Sequence, residues 1–220
     1  MDKSVGMDPH IAGFEAVPDS DLMICQRAGC AYQSDMSVSV PYDAAYFDKY
    51  AGYEGSEIAV RLNSGRVGFV NAWAGSETYV LDIGIGCGEF IKSRPKTFGT
   101  DINEKAIAWL KAEGKWAESL WAFQAFTFWD VLEHVRQPNE YFRQIHIGSH
   151  VFVSMPIFED LWRIRASKHY RPNEHYMYFT ERGFVDWMAM YGFRLMATSD
   201  FESVAGREDI LSFAFQRVAK

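Results

Sequence analysis

The feature that most constrains this chain is a short run, Tyr79-Val80-Leu81-Asp82-Ile83, that ends directly in Gly84-Ile85-Gly86-Cys87-Gly88 and passes into Glu89-Phe90-Ile91-Lys92. A brief, nearly continuous apolar run of this kind forms a strand buried on both faces, the state of a parallel strand covered by helices. Glycines at 84, 86 and 88 let the backbone turn sharply and approach a ligand where a Cβ would collide. The helix that follows points its free N–H groups at whatever fills that space. Nicotinamide and flavin enzymes also use glycine-rich strand–helix turns, but the spacing here is different. It is G-x-G-x-G behind Asp82 rather than the G-x-G-x-x-G of a pyrophosphate-binding turn.

The same alternation continues along the chain. A second strand is expected over residues 96–100, ending in Asp101. Asn103 is then placed to cap a helix with Ala106, Ile107 and Leu110 on its apolar face, and Gly114 to stop it. A third unit runs through residues 123–130, and Pro138 suits the first position of a helix carrying Tyr141, Phe142 and Ile145. Residues 151–154 read as another buried strand, closed by Pro156. Thr180 reads as an N-cap, with Phe179 and Phe184 as a hydrophobic staple, before a helix that buries Trp187, Met188 and Tyr191 and stops at Gly192. Final strands fall near 193–198 and 210–217. The pattern predicts an α/β fold: a Rossmann-like, mostly parallel sheet with helices on both faces, an antiparallel last strand and an N-terminal helical cap. Ligands bind such sheets at the carboxyl ends of the strands, where residues 84–88, Asp101 and Asp130 converge.

Residues 1–40 read as an N-terminal arm, of which the first twenty show no clear period, and residues 41–76 as the helical cap. In the cap Tyr42, Tyr46, Phe47 and Tyr50 recur at helical spacing. Ile58, Leu62, Phe69 and Trp73 form a second stripe, weakened by Gly65. Residues 77–220 form the main domain, with an aromatic insertion over 157–178. Aromatic residues make up 16% of the chain and concentrate near 42–53 and 169–178, which suits either a packed lid or a pocket for a flat, apolar substrate.

A net charge of −7 argues against broad phosphate-backbone contact, so nucleic acid is disfavoured as a partner. No run is apolar and long enough to span a bilayer, and no basic-then-apolar signal opens the chain, so a cytoplasmic location is expected. Three cysteines do not make a disulfide framework in a reducing compartment. Cys25-x4-Cys30 has the form of half a zinc site, but a second ligand pair at matching spacing is missing, and no metal is assigned.

A carboxylate at the end of the second strand, Asp101, is able to accept both hydroxyls of a ribose, besides helping to cap the helix after it. Taken in order, the motifs resemble a known family. Val80-Leu81-Asp82-Ile83-Gly84-Ile85-Gly86-Cys87-Gly88 resembles the first motif of class I S-adenosylmethionine-dependent methyltransferases, and Gly99-Thr100-Asp101-Ile102 their second. Phe128-Trp129-Asp130-Val131-Leu132-Glu133-His134-Val135, followed by Pro138, resembles the D-V-L-E-H segment of the subgroup that includes quinone-biosynthesis O-methyltransferases. Met155-Pro156, His175-Tyr176-Met177-Tyr178-Phe179-Thr180 and Tyr191-Gly192-Phe193 match its downstream pattern.

The resemblance implies S-adenosylmethionine as cofactor and assigns roles by position. The backbone of Gly84, Ile85, Gly86 and Gly88 would lie against the methionine part, Asp101 would bind the ribose hydroxyls, and Ile102 would pack on the adenine. Asp130 and Val131 would border the sulfonium and amino-acid portion, while Asp82 would support the loop and the ligand ammonium. One departure stands out: the stretch from Gly114 to Phe123 is short for a third strand and lacks the acidic residue that commonly binds the adenine amino group, leaving Glu118 or Gln124 to substitute.

Methyl transfer from a sulfonium needs alignment and exclusion of water more than a covalent nucleophile. A base helps if the acceptor is a hydroxyl, and His134 and His175 are the candidates. Tyr42, Tyr46 and Tyr50, with His169 and Tyr170, are the candidate acceptor-binding residues, and Arg171 joins the last two if the acceptor is acidic. The expected partner is a small organic molecule methylated on oxygen, nitrogen or carbon, and a homodimer is left open. Two rival readings are a non-catalytic cofactor-binding or interaction protein and a nicotinamide-dependent oxidoreductase.

Overall fold

The computed structural model describes residues 13–37, 40–43, 45, 48, 52 and 55–219, so that Tyr46 and Tyr50 lie outside the described residues. Among the described residues ten strands form two sheets. The larger contains β4 (Val80–Ile83), β5 (Thr97–Thr100), β6 (Ala125–Trp129), β7 (His150–Pro156), β9 (Phe193–Ser199) and β10 (Ile210–Arg217) in the order β5-β4-β6-β7-β10-β9. β5, β4, β6 and β7 are mutually parallel, whereas β10 runs antiparallel between β7 and β9. This is the mostly parallel sheet with an antiparallel last strand that the alternation predicts. Every residue of β4 and β6 is buried, the physical reason their sequences lack a polar alternate face.

The helices start and stop where their chemistry dictates. Asn103 accepts from Lys105 and Ala106 to cap α3 (Glu104–Ala112), whose buried residues are Ala106 and Leu110. Thr180 accepts from Gly183 to cap α5 (Glu181–Met190), and the Phe179 and Phe184 rings sit 5.4 Å apart across that cap. Short helices α2 (Glu89–Ser93), α4 (Asn139–Phe142) and α6 (Phe201–Val204) complete the set. The third strand beyond β5 shrinks to one parallel bridge, Gly99 to Trp116, which agrees with the short span after Gly114.

The 18-residue helix α1 (Glu57–Ala74) forms through Gly65, and of the expected stripe Phe69 packs on the core while its two ends do not. Asn63, Arg66 and Val70 are buried, whereas Ile58 is 59% and Trp73 38% exposed. The inward face is mixed: Val70 with Phe69 and Ala74 packs on the core, Asn63 donates to the Ala59 carbonyl of its own helix, and Arg66 donates to Glu202. Gly65 sits in this helix because a Cβ there would lie 2.6 Å from the Phe201 ring, so the glycine admits α6 against α1.

The smaller sheet has no counterpart in the sequence reading. β1 (Glu15–Ala16), β2 (Leu22–Cys25), β3 (Cys30–Gln33) and β8 (Met177–Phe179) pair antiparallel in that order. Residues 15–33, read as part of an arm, thus pair with the chain beyond residue 176. Cys25 and Cys30 face each other in the hairpin register as buried thiols with no disulfide between them. Burial, reinforced by Cys25, pushes the Cys30 thiol up to about 12. The two sheets share one core, in which Cys25, Met177 and Phe179 pack with Phe128, Phe142, Phe184 and Phe213. No helix among the described residues is long and apolar enough to cross a membrane.

Candidate active site

Residues 84–88 leave β4 with Gly84, Gly86 and Gly88 at φ of 74°, 56° and 80°, a conformation that side chains rarely adopt. Gly84 has a second constraint, since a Cβ would stand 2.6 Å from Val131 of the loop after β6. Val131 therefore closes on the glycine backbone, and the loops after β4 and β6 lie together at one sheet edge. Asp82, one residue before the end of β4, is only 1% exposed and accepts from Thr127 Oγ1 on neighbouring β6 at 2.6 Å. Burial pushes its carboxyl up to about 7, against the pull of Thr127 and Arg66. It supports the loop from beneath.

Asp101 ends β5 at the same edge. Its Oδ2 accepts from the Ile85 N–H and its Oδ1 from the Asn103 N–H, each at 2.8 Å. The carboxylate thus ties the glycine turn to α3 and retains lone pairs for a pair of hydroxyls. Burial raises its pKa, opposed by those N–H donors. Ile102 follows with 71% of its surface exposed, an apolar side chain standing uncovered beside the carboxylate. Glu118 is exposed beyond the Gly99–Trp116 bridge, and no contact distinguishes it or Gln124 as an adenine ligand.

Asp130 directly follows β6. It holds φ at 57°, unusual for a non-glycine residue, and its carboxylate is claimed by arginines. Arg207 donates from both terminal nitrogens, at 2.8 and 2.9 Å, and Arg66 from Nη2 at 3.4 Å. Burial alone would raise the Asp130 pKa, but Arg207 and then Arg66 outweigh it and hold the carboxyl below its usual range. Arg66 and Arg207 also both bind Glu202, which is 0% exposed. This four-member network joins α1, the β6 loop and the segment before β10. Arg66, Arg207 and Glu202 were not foreseen, although the spacing Asn63, Arg66, Val70 marks a helix face that a buried arginine would have disclosed.

His134 and His175 come together, their ring centroids 4.6 Å apart. His134 lies in a 3₁₀ turn, Leu132–His134, directly after β6. Its Nδ1 is 2.9 Å from the Glu174 carbonyl and 2.8 Å from the Tyr42 hydroxyl. A carbonyl only accepts, so Nδ1 carries the hydrogen and the Nε2 lone pair is left for chemistry, a tautomer assigned from the hydrogen bonds. Burial lowers the His134 pKa, so the ring is neutral near pH 7. His175 is 4% exposed, and burial, aided by His134 and Arg171, pushes its pKa down to about 3.

Glu133 completes the group. It is 1% exposed, neither carboxylate oxygen has a hydrogen-bond partner, and burial with Asp130 nearby drives its pKa well above the carboxylate range. One ligand atom from each of Glu133, His134 and His175 lies within 4.8 Å of the others, a donor set able to hold a divalent metal ion. Cys25 and Cys30, to which no metal is assigned, lie elsewhere, in the β2–β3 hairpin. The smaller sheet positions the histidines: Gln33 N–H donates to the Tyr176 carbonyl at 3.0 Å, and Tyr176 N–H to the Glu133 carbonyl at 2.7 Å.

Tyr42 roofs this edge. Its hydroxyl meets His134, while its carbonyl and that of Asp43 accept from Asn103 at 3.0 and 2.6 Å. It therefore bridges the Asp101 end to the histidine end. Tyr170 packs instead on Tyr178 in a cluster under the smaller sheet. His169 Nε2 pairs with the Glu208 carbonyl at 2.9 Å. Arg171 forms an ion pair with Glu174, the residue whose carbonyl orients His134.

The sequence profile described as a methyltransferase domain matches residues 42–198. No curated protein matches the chain. Solved structures share the fold at low identity. Magnesium protoporphyrin IX methyltransferase from Synechocystis PCC 6803, solved with bound SAH, is 14% identical over 80% of this chain and 96% of its own, with a TM-score of 0.58. A possible histamine N-methyltransferase from Thermotoga maritima is 12% identical over 79% and 96%, with a TM-score of 0.57. The 1,6-didemethyltoxoflavin-N1-methyltransferase of Burkholderia thailandensis is 14% identical over 94% and 100%, with a TM-score of 0.54.

Proposed function

Because the chain belongs to the methyltransferase domain family, we propose that it transfers a methyl group from S-adenosylmethionine to a small organic acceptor held beside Tyr42 and the His134–His175 pair. The observation that carries this reading is the convergence of the glycine turn, Asp101 and the histidines on one sheet edge, joined by Val131 and Tyr42. The residues fit the cofactor. The glycine backbone offers an approach free of side chains, Asp101 keeps acceptor sites for ribose hydroxyls, and Ile102 offers an uncovered apolar face to a purine. When bound, the cofactor supplies a methyl group already activated by a sulfonium leaving group.

The chain's own part is alignment and proton handling. Neutral His134 takes the acceptor's proton at Nε2, and the Glu174 carbonyl and Tyr42 hydroxyl hold the ring in that tautomer. His175, with a pKa near 3, stays uncharged and so does not repel the cationic cofactor. Asp130, engaged by Arg66 and Arg207, fixes the β6 loop that carries Val131. The likeness of residues 128–135 to the quinone-biosynthesis O-methyltransferase group directs the acceptor search first to phenolic and quinone-like hydroxyls.

One observation favours a metal-assisted form of the same reaction: both Glu133 oxygens are buried without a partner beside two neutral imidazoles. A divalent ion held by Glu133, His134 and His175 would satisfy that carboxylate and lower the pKa of an acceptor hydroxyl. Calorimetric titration of the purified protein with S-adenosylmethionine, S-adenosylhomocysteine and Zn²⁺ tests both forms. Micromolar cofactor binding that collapses in Asp101→Ala supports the enzyme reading, and absence of binding by the folded protein removes it. Zn²⁺ binding lost in His175→Ala supports the metal-assisted form, and its absence leaves the neutral-histidine form.

A further inference from the structure

At the edge of the larger sheet opposite the candidate active site, a concavity of about 320 Å³ opens. It lies where β6 and β7 begin and where antiparallel β10 ends, and it is lined by Trp121, Arg143, His146, Ile147 and Arg217 among others. Arg217, the last residue of β10, is 6% exposed, and its Nε and Nη1 are buried without a hydrogen-bond partner. The main chain fixes it there, since Arg217 N–H donates to the Ser149 carbonyl and Gly148 N–H to the Arg217 carbonyl, at 2.9 and 2.8 Å. The guanidinium rests on the Phe193 ring at 4.6 Å but has no carboxylate partner among the described residues. An arginine buried to this degree normally has a counter-charge, because desolvating a cation is costly.

The rest of the wall is suited to a flat ring. Trp121 is 59% and Ile147 57% exposed, and Trp121 meets the His146 ring at 4.8 Å, so an aromatic and an aliphatic surface stand open beside the cation. Exposed Arg143 adds a second positive group, in a chain whose net charge is −7. The volume is at the small end of ligand sites and matches one ring with one charged substituent. From an Arg217 guanidinium with no carboxylate partner among the described residues, and from the open Trp121 and Ile147 surface, we infer that this concavity binds a small aromatic carboxylate, separate from the cofactor and acceptor site. The carboxylate takes its hydrogen bonds from the guanidinium, and the ring covers the indole and Ile147.

Benzoate, its neutral isostere benzamide and inorganic phosphate are the probes, titrated calorimetrically and followed by thermal shift on the full chain, on Arg217→Met and on Trp121→Ala. Benzoate should bind and raise the melting temperature, benzamide should bind at least about tenfold more weakly, and Arg217→Met should lose at least about tenfold in benzoate affinity. Arg217→Met should also fold with an unchanged or higher melting temperature without ligand, because an uncompensated buried charge has been removed. Trp121→Ala, a change at an exposed position, should weaken benzoate without altering phosphate. Absence of benzoate binding at millimolar concentration, or equal binding by Arg217→Met, overturns the site. Phosphate binding as tight as benzoate overturns the aromatic part. A marked drop in the ligand-free stability of Arg217→Met makes the arginine a structural residue instead.

Discussion

The two sheets are built by different kinds of information. In the larger sheet the parallel strands β4, β5, β6 and β7 follow one another through the chain, and the segments proposed to bind the cofactor follow the ends of those strands. In the smaller sheet the decisive pairing joins β3 to β8, and Gln33 reaches Tyr178 across 145 residues of sequence. The first arrangement is written in local patterns of strand, turn and cap. The second exists only once the chain has closed on itself, and it brings His175 to Glu133 and His134. The proposed cofactor and acceptor halves of the site therefore rest on different sheets, which share one apolar core.

A proline in β3 breaks the comparison most severely. Ala31 is 0% exposed and sits in a strand paired on both sides. Ala31→Pro removes a ladder N–H and forces a ring into packed space, with an expected cost on the order of 5 kcal/mol. If the sheets are separate supports, hydrogen exchange should show protection lost over 22–33 and 175–179 yet kept over 80–83 and 125–129. Calorimetry should find S-adenosylhomocysteine affinity within a few-fold of the unmodified protein. Equal loss of protection in both sheets would make them one cooperative unit.

What the sequence disclosed follows the same division. Asn103, Thr180 and the three glycines after β4 each mark a local event, and each is found in that role. β2 and β3 carry their own signal, two four-residue runs with a turn between them, but Cys25 and Cys30 draw a reading toward metal ligation when both are core residues of a hairpin. β8 is three residues long and has no local period that announces it. The histidine pair was visible as two separate candidates, whereas the orphaned Glu133 carboxylate and the arginines around Asp130 depend on tertiary contacts. Tyr170 fails to join Tyr42 because it packs beneath the smaller sheet, a location that no spacing encodes.

The larger sheet has its own electrostatic signature, and pH exposes it. Asp82 titrates at about 7 in the folded protein against 3.8 for the free group, because burial disfavours its charge. The folded state therefore holds a proton that the unfolded state releases between these values. Stability from this group is complete below about pH 4 and declines as pH rises to about 7, by roughly 4 kcal/mol at most. Asp82→Asn keeps an acceptor for Thr127 and removes the titration. Urea unfolding across this range should lose that downward component in the variant, and an unchanged pH profile would show that Asp82 is ionised at neutral pH in the folded protein.

The smallest effect probes the joint between the sheets. Thr180 caps α5 by accepting from the Gly183 N–H at 3.0 Å, and the same hydroxyl donates to the Gly29 carbonyl in the β2–β3 turn at 3.2 Å. One side chain thus serves a helix packed on the larger sheet and the hairpin of the smaller one. Thr180→Ala should cost about 1 kcal/mol in urea unfolding, the ordinary loss for a cap, while Thr180→Ser should restore most of it. If the joint carries more than a cap, Thr180→Ala will also raise hydrogen exchange at residues 26–30, beyond the end of the helix. If exchange rises only over the first turn of α5, the two sheets meet through their shared apolar core alone.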